Sequence, residues 1–306
     1  MTLFRRSASL VACLIPLLAA TATAREQHAA YEPDLKTHLV AYPLPGLPLS
    51  GIGRLQIPTD LSSAEATRAA AATRVPAVVI VHGTGGMDAK GMMYARALNA
   101  AGMATLEVDL WSPRGLSGGW DGRPKHVREN LPDAFGALAY LAAHPRIDGR
   151  RVGIMGFSWG GVLSMLAADE ASAAEHGRGG QRFAAHMPFY PICFAYNRVP
   201  GYPFRELTGA PIYILTGADD RYDVDPRACD KLADTLPEKF RPHVRVKVYA
   251  GAEHGFNNLD RPRRYQDPYH DQGKGGEGGS TPLPAAREDS VKEAVSFFGK
   301  ALGARP

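Results

Sequence analysis

Residues 75–81, VPAVVIV, form an apolar run dominated by β-branched side chains. Such a run has no face to give to water. It fits a strand covered on both sides, as strands are in a parallel sheet flanked by helices. Parallel neighbours need long crossover connections, usually helical. The downstream sequence supplies them. GMMYARALNAAG reads as a helix ending at Gly102, and MATLEVD as a strand. LPDAFGALAYLAAHP reads as a helix, with Pro132 in its first turn and Pro145 past its end. RVGIMGF is a strand, and GGVLSMLAADEAS is expected as one helix. FAAHMPFYP, APIYILTGA and VRVKVYAG read as strands, PRACDKLADTL as a helix, and EDSVKEAVSFFGKAL as a closing amphipathic helix. This alternation predicts an α/β fold, a mostly parallel central sheet with helices on both faces.

Upstream, residues 37–57 alternate apolar and turn residues and predict early antiparallel strands. The Ala-rich stretch 61–74 reads as a surface loop or a short exposed helix. Residues 261–284 are polar and rich in Gly and Pro, which predicts a long flexible surface loop. With no repeat and no second core, residues 25–306 are expected to form a single domain.

The first 24 residues carry Arg5 and Arg6, an apolar stretch from Leu10 to Ala20, and Ala22-Thr23-Ala24. That is the pattern of a cleavable signal peptide, too short in its apolar part to span a bilayer well. The expectation is an exported chain, periplasmic or secreted, free of the membrane after cleavage. Cleavage would remove Cys13 and leave Cys193 and Cys229. Both follow consecutive predicted strands at one end of the sheet, so a disulfide between them is expected. A net charge of +4 with no long basic block argues against a nucleic-acid partner.

Sites in open parallel sheets form at the carboxyl ends of strands. Four segments place polar residues there. Gly156-Phe157-Ser158-Trp159-Gly160 fits G-x-S-x-G between a strand and a helix. A sharp turn there exposes a serine and needs small neighbours; a serine capping the helix is the plainer reading. HGTGG (82–86) follows the strand AVVIVHG. It can supply a backbone N–H to a developing oxyanion, expected at Thr84, beside that of Trp159. LTGADDRYDVDP (215–226) offers Asp219, Asp220, Asp223 and Asp225; its spacing does not match a calcium loop. AGAEHGF (250–256) offers His254 as a base, with His82 and His270 weaker candidates among 10 histidines. The chain order Ser158, an Asp near 220, His254 is that of the α/β-hydrolase fold.

The segments PAVVIVHGTGG, ALAYLAAHPRIDGRRVGIMGFSWGG, ILTGADDRYDVDPRACDKL and VYAGAEHGFNN resemble the dienelactone hydrolase family of α/β-hydrolases over roughly residues 75–300. The resemblance implies a Ser158–Asp220–His254 triad. Asp220 is preferred because the family's Gly-x-x-Asp falls on Gly217 to Asp220, with Asp223 as the alternative. Family members that act on dienelactone use cysteine at the position of Ser158, so the implied chemistry is ester or lactone hydrolysis through an acyl-serine, needing neither metal nor organic cofactor. The expected partner is a small-molecule ester or lactone. A serine peptidase, an acyltransferase or a non-catalytic binding protein on the same fold are the other readings. Arg114 in DLWSPRG either pairs with an acidic group of the substrate or sits on the surface. Trp159 is expected in an apolar cleft, and Trp111 and Trp120 either join it or pack elsewhere.

Overall fold

Alternate residues of the 75–81 run pack into two separate cores. Ala77, Val79 and Val81 join one, with Leu106, Phe135 and Leu163. Val78 and Ile80 join the other, with Tyr94, Leu98, Met155 and Phe298. Side chains of period two do this when both faces of a sheet are covered. The computed structural model describes residues 36–58 and 74–304. The expected signal peptide (1–24), residues 25–35 and nearly all of the 61–74 stretch lie outside the described residues.

Eight strands form one sheet: β1 (Lys36–Pro43), β2 (Ser50–Ile57), β3 (Val75–Val81), β4 (Ala104–Asp109), β5 (Ile147–Phe157), β6 (Ala185–Phe189), β7 (Ile212–Gly217) and β8 (Val244–Tyr249). Their order is β1-β2-β4-β3-β5-β6-β7-β8. The β1–β2 and β2–β4 pairs are antiparallel, and the remaining pairs are parallel. Among the described residues, six helices of seven residues or more accompany the sheet: α1 (Ala89–Ala100), α2 (Leu131–Ala143), α3 (Trp159–Leu166), α4 (Glu170–His176), α5 (Ala228–Asp234) and α6 (Pro284–Ala301). Side chains of α1 and α6 fill one core, and those of α2 and α3 the other. The chain leaves β3 for β4 on one side and returns to β5 on the other. That reversal opens a crevice beyond the carboxyl ends of β3 and β5. No helix of the described residues is long and apolar enough to cross a membrane.

Two expectations change. GGVLSMLAADEAS is two helices, because Asp169 caps a new one. Its carboxylate accepts the Ser172 N–H at 3.0 Å and the Ser172 hydroxyl at 3.1 Å, the bonding that starts a helix. The expected flexible loop 261–284 is instead an antiparallel hairpin of β9 (Arg263–Asp267) and β10 (Gly276–Ser280). Glycine is required in it: a Cβ on Gly278 would lie 1.9 Å from the buried His270 ring. The hairpin tip docks on the loop after β7. Asp271 N–H donates to Arg221 O at 2.8 Å and Gln272 N–H to Tyr222 O at 3.2 Å. The Tyr222 hydroxyl donates to the buried Asp267 carboxylate. The expected disulfide is present. Cys193 and Cys229, 36 residues apart, join the segment after β6 to α5.

Candidate active site

Ser158 stands between β5 and α3 with φ 51° and ψ −107°, a conformation that L-residues avoid. Its N–H donates to Phe189 O at 3.1 Å, and its own carbonyl accepts the Val162 N–H at 2.8 Å. The turn is tight enough to exclude side chains on either side. A Cβ on Gly156 would lie 2.2 Å from Gly160 O, and one on Gly160 would lie 2.3 Å from Val81 O. The serine does not cap α3 with its side chain. Its Oγ lies 2.8 Å from His254 Nε2.

His254 Nδ1 lies 2.7 Å from Asp220 Oδ2, and both residues are buried. A carboxylate can only accept, so Nδ1 carries the proton and Nε2 presents its lone pair to the serine hydroxyl. The second Asp220 oxygen accepts the Tyr222 N–H at 2.9 Å. Tyr190 and Tyr222 flank the imidazole, with ring centroids at 4.6 and 4.4 Å. The other carboxylates of the loop go elsewhere. Asp219 is exposed, Asp225 pairs with Lys231 at 2.6 Å, and Asp223 accepts the N–H groups of Cys193 and Phe194. His270 is buried in the hairpin, where Nδ1 donates to Gly276 O at 3.1 Å.

The HGTGG turn is oriented by its own histidine. His82 Nδ1–H donates to Gly83 O at 2.7 Å, and Nε2 accepts the Leu110 N–H at 3.0 Å. Burial holds the His82 pKa below the usual imidazole range, which favours the neutral ring these two bonds require. Gly83 O also accepts the Gly86 N–H at 3.1 Å. In a trans peptide the N–H points opposite to the C=O, so the Thr84 N–H is directed away from His82. The Trp159 N–H is the first of α3, an amide that a helix cannot satisfy internally.

Ser158 opens onto a cleft of about 830 Å³, counting its mouth, with Thr84, Trp120, Arg123, Trp159 and Tyr269 on its walls. Arg123 was not anticipated from the sequence. Its Nη1 donates to Thr84 Oγ1 at 2.7 Å, and its guanidinium lies over the rings of Trp159 (4.4 Å) and Trp120 (4.8 Å). Among the described residues, its neighbours at hydrogen-bonding and stacking distance are all neutral. Burial pulls its pKa below the ordinary guanidinium value. The only signal was one basic residue in a Gly-rich loop.

Arg114 is a correction: it does not line this cleft. It forms a two-pronged pair with Asp133, at 2.6 and 2.7 Å. Asp133 is fully buried, and a buried carboxylate needs such a partner. Asp133 also accepts from Asn130 Nδ2 at 3.1 Å, and Asn130 Oδ1 accepts the Trp159 indole N–H at 3.0 Å. Arg114 therefore braces the Trp159 ring through two intermediaries. Trp111 packs beneath the HGTGG turn and donates to Thr84 O at 3.2 Å.

The sheet order, the turn at Ser158 and the crevice above it define an α/β-hydrolase. The chain belongs to the dienelactone hydrolase family, whose sequence profile matches residues 62–302. That membership places it among hydrolases of esters and lactones. It is similar to a Bradyrhizobium protein named "Probable 2-oxo-3-(5-oxofuran-2-ylidene)propanoate lactonase", with 25% identity over 60% of this chain and 74% of that one. Two solved structures share the fold. The propionate-bound esterase Est2 of Thermogutta terrifontis superposes with TM-score 0.60 at 17% identity, covering 90% of this chain and 97% of that one. A dienelactone hydrolase-like promiscuous phosphotriesterase, P91, from metagenomic libraries superposes with TM-score 0.54 at 21% identity, covering 88% of this chain and 99% of that one.

Proposed function

We propose that the protein is an exported serine hydrolase that cleaves small carboxylic esters or lactones through an acyl-serine intermediate. The observation that carries this reading is the relay from Asp220 through His254 to Ser158, at 2.7 and 2.8 Å, opening onto a cleft. His254 Nε2 takes the hydroxyl proton as Ser158 Oγ bonds to the carbonyl carbon. The carbonyl oxygen becomes an oxyanion, held by the N–H groups of Thr84 and Trp159. His254 then returns the proton to the departing alcohol oxygen as the C–O bond breaks. Water repeats the sequence and releases the acid. The relay needs neither metal nor organic cofactor.

Arg123 points to the kind of ester. A half-buried guanidinium with neutral neighbours favours an anionic group on the ligand. A substrate bearing a carboxylate, as the named substrate of the Bradyrhizobium relative does, suits that position. Export is supported by the first 24 residues and by the Cys193–Cys229 bridge, since disulfides persist in oxidising compartments.

Ser158→Ala should lower turnover of p-nitrophenyl acetate by about 10⁴-fold or more and abolish labelling by a fluorophosphonate. Activity near that of the unmodified protein would remove Ser158 from the mechanism. In the same panel a carboxylate-bearing ester should be preferred to its neutral isostere. Equal rates would remove the role given to Arg123.

A further inference from the structure

The segment after β6 forms one wall of the cleft through Ile192, Phe194, Ala195 and Val199. Its own bonds hold part of this shape, with the Asn197 side chain paired to the Phe204 backbone and the Val199 N–H donating to Ala195 O. Tyr190 and Ile192 have φ of 39° and 58°, left-handed values that cost energy for side chains of this size, most of all for a β-branched one. The strained stretch around Ile192 needs a further hold from outside the segment.

Asp223 supplies it. Its Oδ2 accepts the Cys193 N–H at 3.0 Å and its Oδ1 the Phe194 N–H at 2.7 Å, one oxygen for each of two successive amides. The carboxylate is 4% exposed, where such charge-assisted bonds are stronger than in water. Asp223 lies three residues beyond Asp220, and the disulfide from Cys193 to α5 closes the same junction. Val224, next to the clamp, is itself left-handed at φ 64°. The hairpin tip adds a bond from Gln272 Nε2 to Asp223 O at 3.0 Å.

We infer that Asp223 is a positioning residue that sets the cleft wall against the loop of Asp220, and so governs how well the enzyme binds acyl groups large enough to touch that wall. This rests on the ester hydrolase reading for its kinetic consequence, but not for the clamp. Burial and the charge of Asp220 push the Asp223 carboxyl up to about 7, against the pull of its two N–H bonds. The titratable groups facing it are Asp220 on its own loop, His254 on the loop after β8 and Tyr196 on the wall.

The test compares the full-length disulfide-bonded protein with Asp223→Asn. Asparagine offers one acceptor and turns an NH₂ toward the other amide. Hydrogen exchange at the Cys193 and Phe194 amides should quicken by about ten-fold or more, with β5 amides unchanged. The KM for p-nitrophenyl octanoate should rise by about ten-fold, while kcat for p-nitrophenyl acetate stays within about three-fold. Unchanged exchange at both amides overturns the clamp, whether or not any ester is turned over. Quickened exchange with an unchanged octanoate KM overturns the kinetic consequence. A loss of kcat for acetate as large as that of Asp220→Asn would instead make Asp223 part of the proton relay. If the variant does not fold, the unmodified enzyme gives the answer. Its octanoate-to-acetate KM ratio should rise as pH falls from about 8 to 5.5, because protonation removes one acceptor. Any effect of pH on the proton relay acts on both esters and cancels in the ratio. A flat ratio overturns the proposal.

Discussion

Four aspartates in twelve residues show how a site is decided at the scale of single side chains. Asp219, Asp220, Asp223 and Asp225 are equivalent in composition and nearly so in position. The turn after β7 exposes Asp219 and buries Asp220 against His254, so one step along the chain separates a solvated charge from the proposed orienting acid. Asp220→Asn should keep the fold and lower kcat by about 10⁴-fold, because an amide opposite Nδ1 favours the wrong imidazole tautomer. Steady-state kinetics on p-nitrophenyl acetate checks this, and a loss below about ten-fold would move the role elsewhere. Arg114 shows the opposite case. The sequence places it correctly after a strand but gives no sign that Asp133 will claim it. Asp133 falls in the first turn of a helix, where an acid is ordinary on dipole grounds alone. Its burial, and hence its demand for a guanidinium, arises from packing between distant elements.

Among the elements, those with a periodic apolar pattern were legible and those without one were not. VPAVVIV, RVGIMGF and APIYILTG announce buried parallel strands because both their faces are apolar, and the glycines around Ser158 announce the turn. The β9–β10 hairpin escapes such reading. GEGGS has almost no side chains to show alternation, and the hairpin is held by Tyr222, Asp267 and Gln272 rather than by an apolar face. Arg123 was illegible for a related reason: its site is assembled by three loops. The disulfide belongs to this scale too, because it ties the cleft wall to α5 across 36 residues of sequence. Cys229→Ser should lower the unfolding free energy by about 2–4 kcal/mol, mostly through greater freedom of the unfolded chain. Urea unfolding of the oxidised protein and the variant measures it. Equal midpoints would show that the carboxylate of Asp223 and the surrounding core hold the junction alone.

The molecule as a whole carries buried ionisable groups that make its stability depend on pH. Glu107 on β4 is 4% exposed, and burial pushes its carboxyl up to about 7 although Arg54 lies 2.7 Å away. Asp223 is likewise held near 7. A carboxyl whose pKa rises on folding stabilises the native state most below its unfolded value. That stability is lost as pH climbs from about 4 to 7. His186, fully buried on β6, is pushed down to about 4. Its contribution is whole above about 6.5 and is lost as pH falls toward 4. His82, also held low by burial, works in the same direction as His186, so the decline between about pH 5 and 8 is the share of the two carboxyls rather than of the whole protein. Glu107→Gln separates the terms. Relative to the unmodified protein it should gain about 3 kcal/mol between pH 4.5 and 8, since one pKa unit is worth about 1.4 kcal/mol. Urea midpoints across that range give the comparison. Parallel curves for the two proteins would mean that Arg54 keeps Glu107 ionised throughout, and the alkaline decline would then fall to Asp223.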